Sequence, residues 1–351
     1  MTFMQVYKSQ SINSLYILKF FAACLIVLIH VPTIKFLLPI SRLAVPCFFM
    51  ISGFFLYDQD QLTITKKIKK AIKKILIISI KIHIVYLIVV GLFNFYYDGN
   101  TRIRLYDLDF WAKLLLYGES IPFYKYGNKV FWYLTAYIET LIIIYYFNYK
   151  GWLKYLFFLI PVGLLANLVW GRYSFLFGGP YSYLLRCNFF TMGTPFVLLG
   201  MMLKSPSSLN SFMSKTDNKT ILLLTIAALF ISVIEYYYQA NILHLRQIGD
   251  LNLFTIPAAI GIMMIALKNQ DVHPKAAVLV YLGKYSSTKI YLYHLLIYFS
   301  LNFLYLLTHH RFLKVINGYF GVLFLSIIIS LLFHFTEAKL LKANTSSDIS
   351  K

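Results

Sequence analysis

The chain has 351 residues, of which 59% are apolar and 13% are charged, and its formal net charge is +20 at pH 7. A soluble globular domain carries about 25% charged residues, so this composition excludes an ordinary water-soluble fold and indicates a membrane protein. Strongly basic chains often bind nucleic acid. Here the basic residues lie between apolar runs, where they set topology and meet anionic headgroups, so we expect membrane lipids and no nucleic acid as partners.

The cysteines give no sign of a metal site or a disulfide framework. Cys24, Cys47 and Cys187 stand far apart in apolar surroundings, without the short spacings that either would need. No metal is therefore expected. The first apolar run is not followed by a small-residue cleavage site, so we interpret it as a retained helix rather than a signal peptide.

Apolar runs of the roughly 17–25 residues that a membrane-spanning helix needs recur along the whole chain. They predict an all-α integral membrane protein with about ten transmembrane helices around a central channel. One transmembrane domain is expected over residues 1–351, with no fused soluble domain. The predicted helices span residues 15–34, 37–57, 75–95, 130–147, 153–170, 189–203, 221–238, 251–267, 285–307 and 319–335.

The placement of lysine and arginine predicts the orientation. Six lysines lie between the second and third predicted helices, at positions 66, 67, 69, 70, 73 and 74, whereas only Lys35 and Arg42 lie in or near the preceding connection. The positive-inside rule makes the lysine-rich connection cytoplasmic and places both termini in the cytoplasm. We therefore expect a multi-pass protein of the cell (inner, cytoplasmic) membrane, whose oligomeric state the sequence leaves open.

Two predicted outer connections have distinctive compositions. Residues 96–129 combine mixed charge with aromatic residues, which is equally typical of an interfacial helix or lid and of a solvated connector. Residues 171–186 are rich in Gly, Tyr and Ser. Within them Gly178, Gly179 and Pro180 predict a turn.

The first predicted helix carries two ionisable residues, Lys19 and His30, eleven positions apart. Eleven residues are almost three helical turns, so both side chains point to one face, about 16 Å apart along the axis. Ionisable groups inside a membrane are costly and usually mark a pathway or a site. The alternative is structural: Lys19 extends to the inner headgroups, and His30 hydrogen-bonds to a neighbouring helix.

Four segments resemble, in order, the membrane acyltransferase type 3 family. Ser14–His30 is similar to its opening helix, which is marked by a basic residue, ten intervening residues and a histidine. Val45–Leu56, with the sequence VPCFFMISGFFL, resembles its P-x-F-F-x-x-S-G-F segment. Phe131–Leu134 resembles the W-F-L start of a middle helix, and Ile290–Leu295 resembles a late Y-x-x-H helix. The resemblance extends to about Phe335.

The chain departs from the family pattern in three places. Lys19 stands where arginine is frequent. Many members have Arg-x-x-Arg after the second helix, where this chain has Lys70 and Lys73 at the matching spacing. Lysine grips a phosphate as a point charge rather than bidentately. The esterase-like extracytoplasmic domain that many members carry is not expected here.

The resemblance implies transfer of an acyl group, usually acetyl, from cytoplasmic acyl-CoA to a hydroxyl of an extracytoplasmic glycan or lipid-linked sugar. Acetyl-CoA is then a co-substrate. Its phosphates are predicted to bind Lys70, Lys73 and Lys74, and its pantetheine arm is predicted to pass Lys19 toward His30. We hypothesise that neutral His30 is the general base for the acceptor hydroxyl, with an acyl-histidine intermediate as the alternative.

Two further polar residues are candidates for catalysis. Glu139 lies two turns after Trp132 and so shares its helix face. It would either orient His30 or remain protonated in a helix contact. Ser52 would donate a hydrogen bond to the thioester carbonyl, but a Ser-Gly pair in a membrane helix is equally typical of close packing.

The acceptor is predicted to bind five residues that are polar or aromatic. They are Trp132, Arg186, Asn188, Tyr293 and His294. Aromatic faces stack on sugar rings, although interfacial belts also explain a high aromatic content. Anchoring to headgroups is the alternative for Arg186 and Asn188, and a structural role is the alternative for Tyr293 and His294.

Two other protein classes fit the same pattern. Lys19, His30 and Glu139 would equally suit a proton-coupled transporter or flippase for a polar or lipid-linked substrate. A glycan polymerase or ligase would also be multi-helical, but such proteins tend to have larger outer loops with arginines. An acyltransferase should bind acyl-CoA from the cytoplasm and release free CoA only with an acceptor, whereas a carrier should do neither.

Overall fold

A computed structural model of the chain describes residues 12–31, 34–98, 131–179, 183–244, 251–270 and 272–349. Within these ranges every regular element is a helix and no strand occurs, which confirms the all-α prediction there. The α-helices are α1 (Asn13–His30), α2 (Leu38–Ser41), α3 (Ala44–Leu56), α4 (Gln61–Asp98), α5 (Trp132–Tyr149), α6 (Leu153–Leu156), α7 (Leu159–Trp170), α8 (Tyr183–Arg186), α9 (Thr194–Lys204), α10 (Ser208–Lys215), α11 (Asn218–Asn241), α12 (Thr255–Lys268), α13 (Ala277–Tyr285), α14 (Ser287–Thr308), α15 (Arg311–Ile316) and α16 (Tyr319–Ile349). Short 3₁₀ helices cover Lys35–Leu37, Ser174–Phe177 and Pro274–Ala276, and a π-helix covers Phe189–Gly193.

Seven helical stretches of the described chain are long and apolar enough to cross a membrane. They are Asn13–His30, Lys35–Leu56, Leu153–Trp170, Leu184–Lys204, Asn218–Asn241, Ser287–Thr308 and Tyr319–Glu337. Helices also occupy the other three predicted positions, as parts of α4, α5 and α12. The number of ten spans, the channel and the cytoplasmic termini stay predictions.

Prolines explain where the predicted spans are interrupted. The second span breaks at Arg42 and Leu43, because Pro46 has no N–H to bond to the carbonyl four residues earlier. The fifth span breaks in the same way between α6 and α7, where Pro161 lies in the first turn of α7. The sequence between the lysines and the third predicted span contains no such residue. The lysine-rich segment and the third predicted span therefore form the single helix α4, which was predicted only from residue 75 onward.

Contacts divide the chain into two units, residues 1–44 with 262–351 and residues 45–261. In the first unit, α1 packs against α13, α14 and α16. Gly283 allows the close approach of α13 to α1, because a Cβ there would overlap the backbone carbonyl of Tyr16. At the start of α1, the Ser14 hydroxyl donates to the carbonyl of Ala266 at 2.6 Å.

In the second unit, α3 and α9 meet backbone to backbone through two glycines. A Cβ on Gly53 would overlap the carbonyl of Val197, and a Cβ on Gly200 would overlap the carbonyl of Met50. Small residues allow this approach between membrane helices, so the packing interpretation of the Ser-Gly pair holds for Gly53.

The start of α4 and the end of α5 are joined by a reciprocal amide clamp. The Asn148 amide donates to the carbonyl of Gln61 at 3.0 Å and to the hydroxyl of Thr65 at 2.9 Å. In return, the Gln61 amide donates to the carbonyls of Asn148 and Tyr149. The two helices therefore run antiparallel. Of the outer connection predicted over 96–129, residues 99–129 lie outside the described residues.

Candidate active site

The imidazole rings of His30 and His294 are neighbours. Their centroids lie 5.2 Å apart, and the ring planes make an angle of 40°. His30 is the last residue of α1, and His294 lies two turns into α14. Because α1 and α14 pack directly against each other, the contact brings together the histidines of two motifs that are far apart in sequence.

Hydrogen bonds fix the tautomer of His294. Its Nδ1 atom lies 2.7 Å from the carbonyl oxygen of Tyr291 and 3.1 Å from that of Ile290. Carbonyl oxygens only accept, so Nδ1 carries the hydrogen, and Nε2 of the neutral ring keeps a lone pair. The ring is fully buried, and Nε2 has no hydrogen-bond partner among the described residues. Such an atom is rare in a folded protein and calls for an explanation.

Lys19 and His30 lie on one uninterrupted helix, so the predicted spacing is confirmed. The rise of about 1.5 Å per residue places them about 16 Å apart on one face of α1. Both side chains are half-buried.

Two residues of this site were not singled out in the sequence. The guanidinium of Arg42, in the turn after α2, lies close enough to interact electrostatically with His30. Arg42 had served only to predict topology. Tyr291 supplies a carbonyl that holds His294, and its ring centroid lies 6.4 Å from that of His294. Its signal was present in the sequence, because Tyr291 is the first residue of the Y-x-x-H pattern.

Ser52 lies in an aromatic cluster of the second unit. Its hydroxyl donates to the carbonyl of Phe48 at 2.9 Å, one turn back in α3. The hydroxyls of Tyr133 and Tyr137 also hydrogen-bond to Ser52. Because a serine hydroxyl has one hydrogen, Ser52 acts here as the acceptor for the tyrosines. Donation to a thioester carbonyl stays a prediction and would require the bond to Phe48 to break.

Trp132 and Glu139 lie on the same face of α5, as predicted from their spacing. Trp132 is buried, with its ring centroid 6.4 Å from that of Phe49. Glu139 is half-buried, and no hydrogen-bond partner for its carboxyl group lies among the described residues. Its predicted interaction with His30, which belongs to the other unit, stays a prediction.

Asn188 has a structural task that the sequence did not show. Its side-chain oxygen accepts from the backbone N–H groups of Phe190 and Thr191, and its amide donates to the carbonyls of Leu184 and Leu185. It therefore caps the π-helix. The backbone carbonyl of Arg186 accepts from Asn167 and Thr191, while the Arg186 side chain is half-buried.

The surroundings of the remaining predicted residues are as follows within each unit. The Tyr293 ring stacks on Phe333 with the centroids 5.1 Å apart, so it faces α16 although it adjoins His294 in sequence. Lys70, Lys73 and Lys74 are exposed on α4.

The predicted turn after α7 is confirmed at Gly178, which has φ +81°. In the described part of the chain, no three His, Cys, Asp or Glu side chains are grouped as a metal site would require.

Comparison with known protein families gives a match over residues 12–335 to the acyltransferase 3 family, described as an acyltransferase domain. The matched range contains all four motif segments and both histidines. No curated protein and no solved structure matches the chain. Because the family match covers most of the sequence, the chain belongs to the acyltransferase 3 family of membrane acyltransferases.

Proposed function

We propose that the chain is a membrane O-acyltransferase that moves an acyl group, in the first instance acetyl, from cytoplasmic acyl-CoA to a hydroxyl of an extracytoplasmic or lipid-linked polysaccharide. The observation that carries this proposal is the His30–His294 imidazole pair in a member of an acyltransferase family. An imidazole is the side chain most often used to move a proton in such a transfer.

In the proposed reaction, neutral His30 takes the proton of the acceptor hydroxyl. The hydroxyl oxygen attacks the thioester carbonyl carbon, and the C–S bond breaks as the ester C–O bond forms. The departing thiolate takes the proton from His30 and leaves as free CoA, so His30 returns neutral. His30 ends α1, and the partial negative charge at a helix C-terminus would stabilise its transient imidazolium form.

His294 is proposed as a positioning residue for His30. Two imidazoles with centroids 5.2 Å apart have room for one N–H···N hydrogen bond. Bonded nitrogens lie about 3 Å apart, and each lies roughly 1 Å from its ring centre. Nε2 of His294 would accept from one nitrogen of His30, which leaves the lone pair of the other nitrogen for the acceptor hydroxyl. The unpartnered buried Nε2 supports this role.

Arg42 is proposed to stabilise the negative charge that develops on the thioester carbonyl oxygen during attack. Its guanidinium interacts electrostatically with His30 and is therefore near the proposed reacting centre. A fixed positive charge in a water-poor site acts strongly on such an oxygen.

The donor would reach His30 from the cytoplasmic side along α1. The separation of about 16 Å between Lys19 and His30 matches the scale of an extended pantetheine arm. Lys19 would then lie near the phosphate end of the donor, and Lys70, Lys73 and Lys74 remain predicted phosphate ligands. A polyanionic donor cannot cross the bilayer unaided, so a cationic entrance is chemically appropriate.

The test uses the full-length protein in proteoliposomes, with acetyl-CoA on the cytoplasmic face and cell-surface polysaccharide as the acceptor. The expected result is release of free CoA that requires both substrates, with an acetyl mass added to the polysaccharide. A protein that moves the polysaccharide or protons without consuming acetyl-CoA would overturn the proposal in favour of a carrier. Mass spectrometry of surface glycans from cells with and without the protein gives the same decision in vivo.

A further inference from the structure

Helix α4 has one side that is buried in the protein and an opposite side that is exposed. Ile64, Ile68, Ile82 and Tyr86 are fully or almost fully buried. At about 100° per residue, these four residues lie on one side of the helix. α5 packs against α4 in the same unit. The opposite side of α4 is exposed, and its character changes along the helix.

The first part of the exposed side is a lysine stripe, defined as Lys66, Lys70, Lys73 and Lys74. All four side chains are exposed. They fall within about 100° of one another around the axis, on the side of the helix that faces away from the buried residues. No acidic residue occurs between Gln61 and Tyr97, so the stripe has no neutralising partner on its own helix.

The neighbouring lysines have other contacts. Lys67 forms an ion pair with Asp58 at 3.0 Å. Partial burial opposes ionisation of Asp58, but the hydrogen bond and charge of Lys67 hold the pKa of that carboxyl below its usual value. Lys69 lies over the ring of Tyr145, 5.5 Å from the centroid. The stripe thus consists of the exposed lysines in the first turns of α4 that have neither of these contacts.

The second part of the exposed side is an aliphatic band, defined as Ile77, Ile80, Ile84 and Ile88. These side chains are between 44% and 60% exposed. They continue the line of the lysine stripe within about 80° around the same axis. Such an exposed apolar band on a membrane protein is a surface for lipid chains. Lys81 lies beside the band, and its long stem allows its charge to reach back toward the headgroups.

The length of α4 sets the depth of the two parts. The helix has 38 residues. From Leu76 to Asp98 it rises about 33 Å, close to the hydrocarbon thickness of about 30 Å. The preceding turns, which carry the lysine stripe, therefore extend through the headgroup layer on one side of the membrane. A row of cations directly below a lipid-facing band is placed to meet lipid phosphates.

We propose that the lysine stripe of α4 is a binding surface for anionic lipid headgroups, such as phosphatidylglycerol, on the side of the membrane where α4 begins. Charge complementarity selects the headgroup, and the aliphatic band holds the acyl chains of the same lipids. The proposal is independent of the acyl-transfer reaction. It competes with the predicted role of Lys70, Lys73 and Lys74 as ligands of CoA phosphates.

The experiment measures lipid retention by the purified full-length protein with native mass spectrometry, as phosphatidylglycerol or phosphatidylcholine is titrated. The test variant is K66Q/K70Q/K73Q/K74Q. The control variant K150Q/K154Q/K215Q/K219Q removes the same charge from exposed lysines outside α4. Thermal unfolding without added lipid checks that both variants are folded.

The wild type should retain phosphatidylglycerol in preference to phosphatidylcholine. The stripe variant should weaken this retention at least about tenfold, because each lysine near an anionic surface contributes measurably. High salt should weaken it similarly in the wild type, and the control variant should keep it. Equal loss in both variants, or none in the stripe variant, would overturn the proposal.

A second experiment distinguishes binding of a lipid headgroup from binding of a soluble phosphate compound. CoA replaces phosphatidylglycerol, and binding is followed by the shift in the thermal unfolding midpoint. If the stripe variant loses CoA binding but keeps phosphatidylglycerol, the stripe is a donor site and the lipid proposal is wrong. Loss of phosphatidylglycerol with CoA binding intact supports the lipid proposal and removes Lys70, Lys73 and Lys74 from the predicted donor site, while the proposed chemistry at His30 stands.

Discussion

The rings of His30 and His294 lie with their centroids 5.2 Å apart, although 264 positions separate the two residues in the chain. His294 is anchored by its own helix, because its Nδ1–H donates to the carbonyl of Tyr291. His30 is half-buried at the end of α1. One ring is therefore held in place while the other is partly exposed, which is what the proposed roles of His294 as a positioning residue and His30 as a base require.

Replacement of His30 by alanine should abolish most acyl transfer. Loss of a general base typically costs about 10²–10⁴-fold in rate. Free CoA release and acetylated polysaccharide should fall together in membranes with equal protein levels. The exposed His310 offers a control, and His310→Ala should leave both near wild type. Wild-type turnover in His30→Ala would rule out His30 as the base.

Two substitutions of His294 separate positioning from folding. In His294→Asn, the amide stands near the former Nδ1 and can still donate to Tyr291, but no acceptor remains at the position of Nε2. In His294→Gln, a polar atom can reach that position. We expect His294→Asn to lower kcat at least about tenfold with little change in KM, and His294→Gln to recover much of the rate.

The two His294 variants should have similar unfolding midpoints in detergent, since both keep a polar side chain at the buried site. If kcat depends on pH in the same way in the wild type and in His294→Asn, His294 does not influence the base. Equal activity of the Asn and Gln variants would reduce His294 to a packing residue.

Arg42 provides a test of charge stabilisation. Arg42→Gln should lower kcat by about 10²–10³-fold, the range for loss of one group that stabilises a developing oxyanion. Arg42→Lys keeps the charge and should retain more activity than Arg42→Gln. Single-turnover kinetics with acetyl-CoA would measure the chemical step. Two variants of equal activity would show that the charge of Arg42 does not act on the reaction.

Gly283 tests the packing that supports this site. A Cβ at Gly283 would overlap the backbone of Tyr16, so Gly283→Ala must push α13 away from α1. Overpacking of this kind costs about 1–3 kcal/mol, and the thermal midpoint in detergent should fall. Val278→Ala, at an exposed position of the same helix, should change it little. An unchanged midpoint in Gly283→Ala would contradict the close contact.

The helices were largely predictable because the apolar runs are long, but their ends were not. The prediction for α4 began at residue 75, since hydropathy stops at the lysines, whereas a solvated lysine is a good helix former and the helix continues. The interruptions at Pro46 and Pro161 follow from missing backbone donors, a local effect that average hydropathy does not contain.

The candidate site was predictable only in part. The separation of Lys19 and His30 was predictable, because both residues lie on one helix and helical geometry determines it. The pairing of His30 with His294 depends on the packing of α1 against α14, which no local pattern contains. Asn188 has a side chain that caps a π-helix, a role that its polarity did not reveal, and its predicted binding of the acceptor stays a prediction. Polarity alone does not distinguish a cap from a ligand.

The amide clamp between Gln61 and Asn148 would hold the protein together if the chain were cut between α4 and α5. These hydrogen bonds join α4 and α5 at the ends that are distant from their connection in sequence. Side-chain contacts, such as the packing of Phe131 on Tyr86, join them further along. Two fragments produced by a single cut within residues 99–130 should therefore reassemble in the membrane, so the protein offers a site for split-reporter fusions.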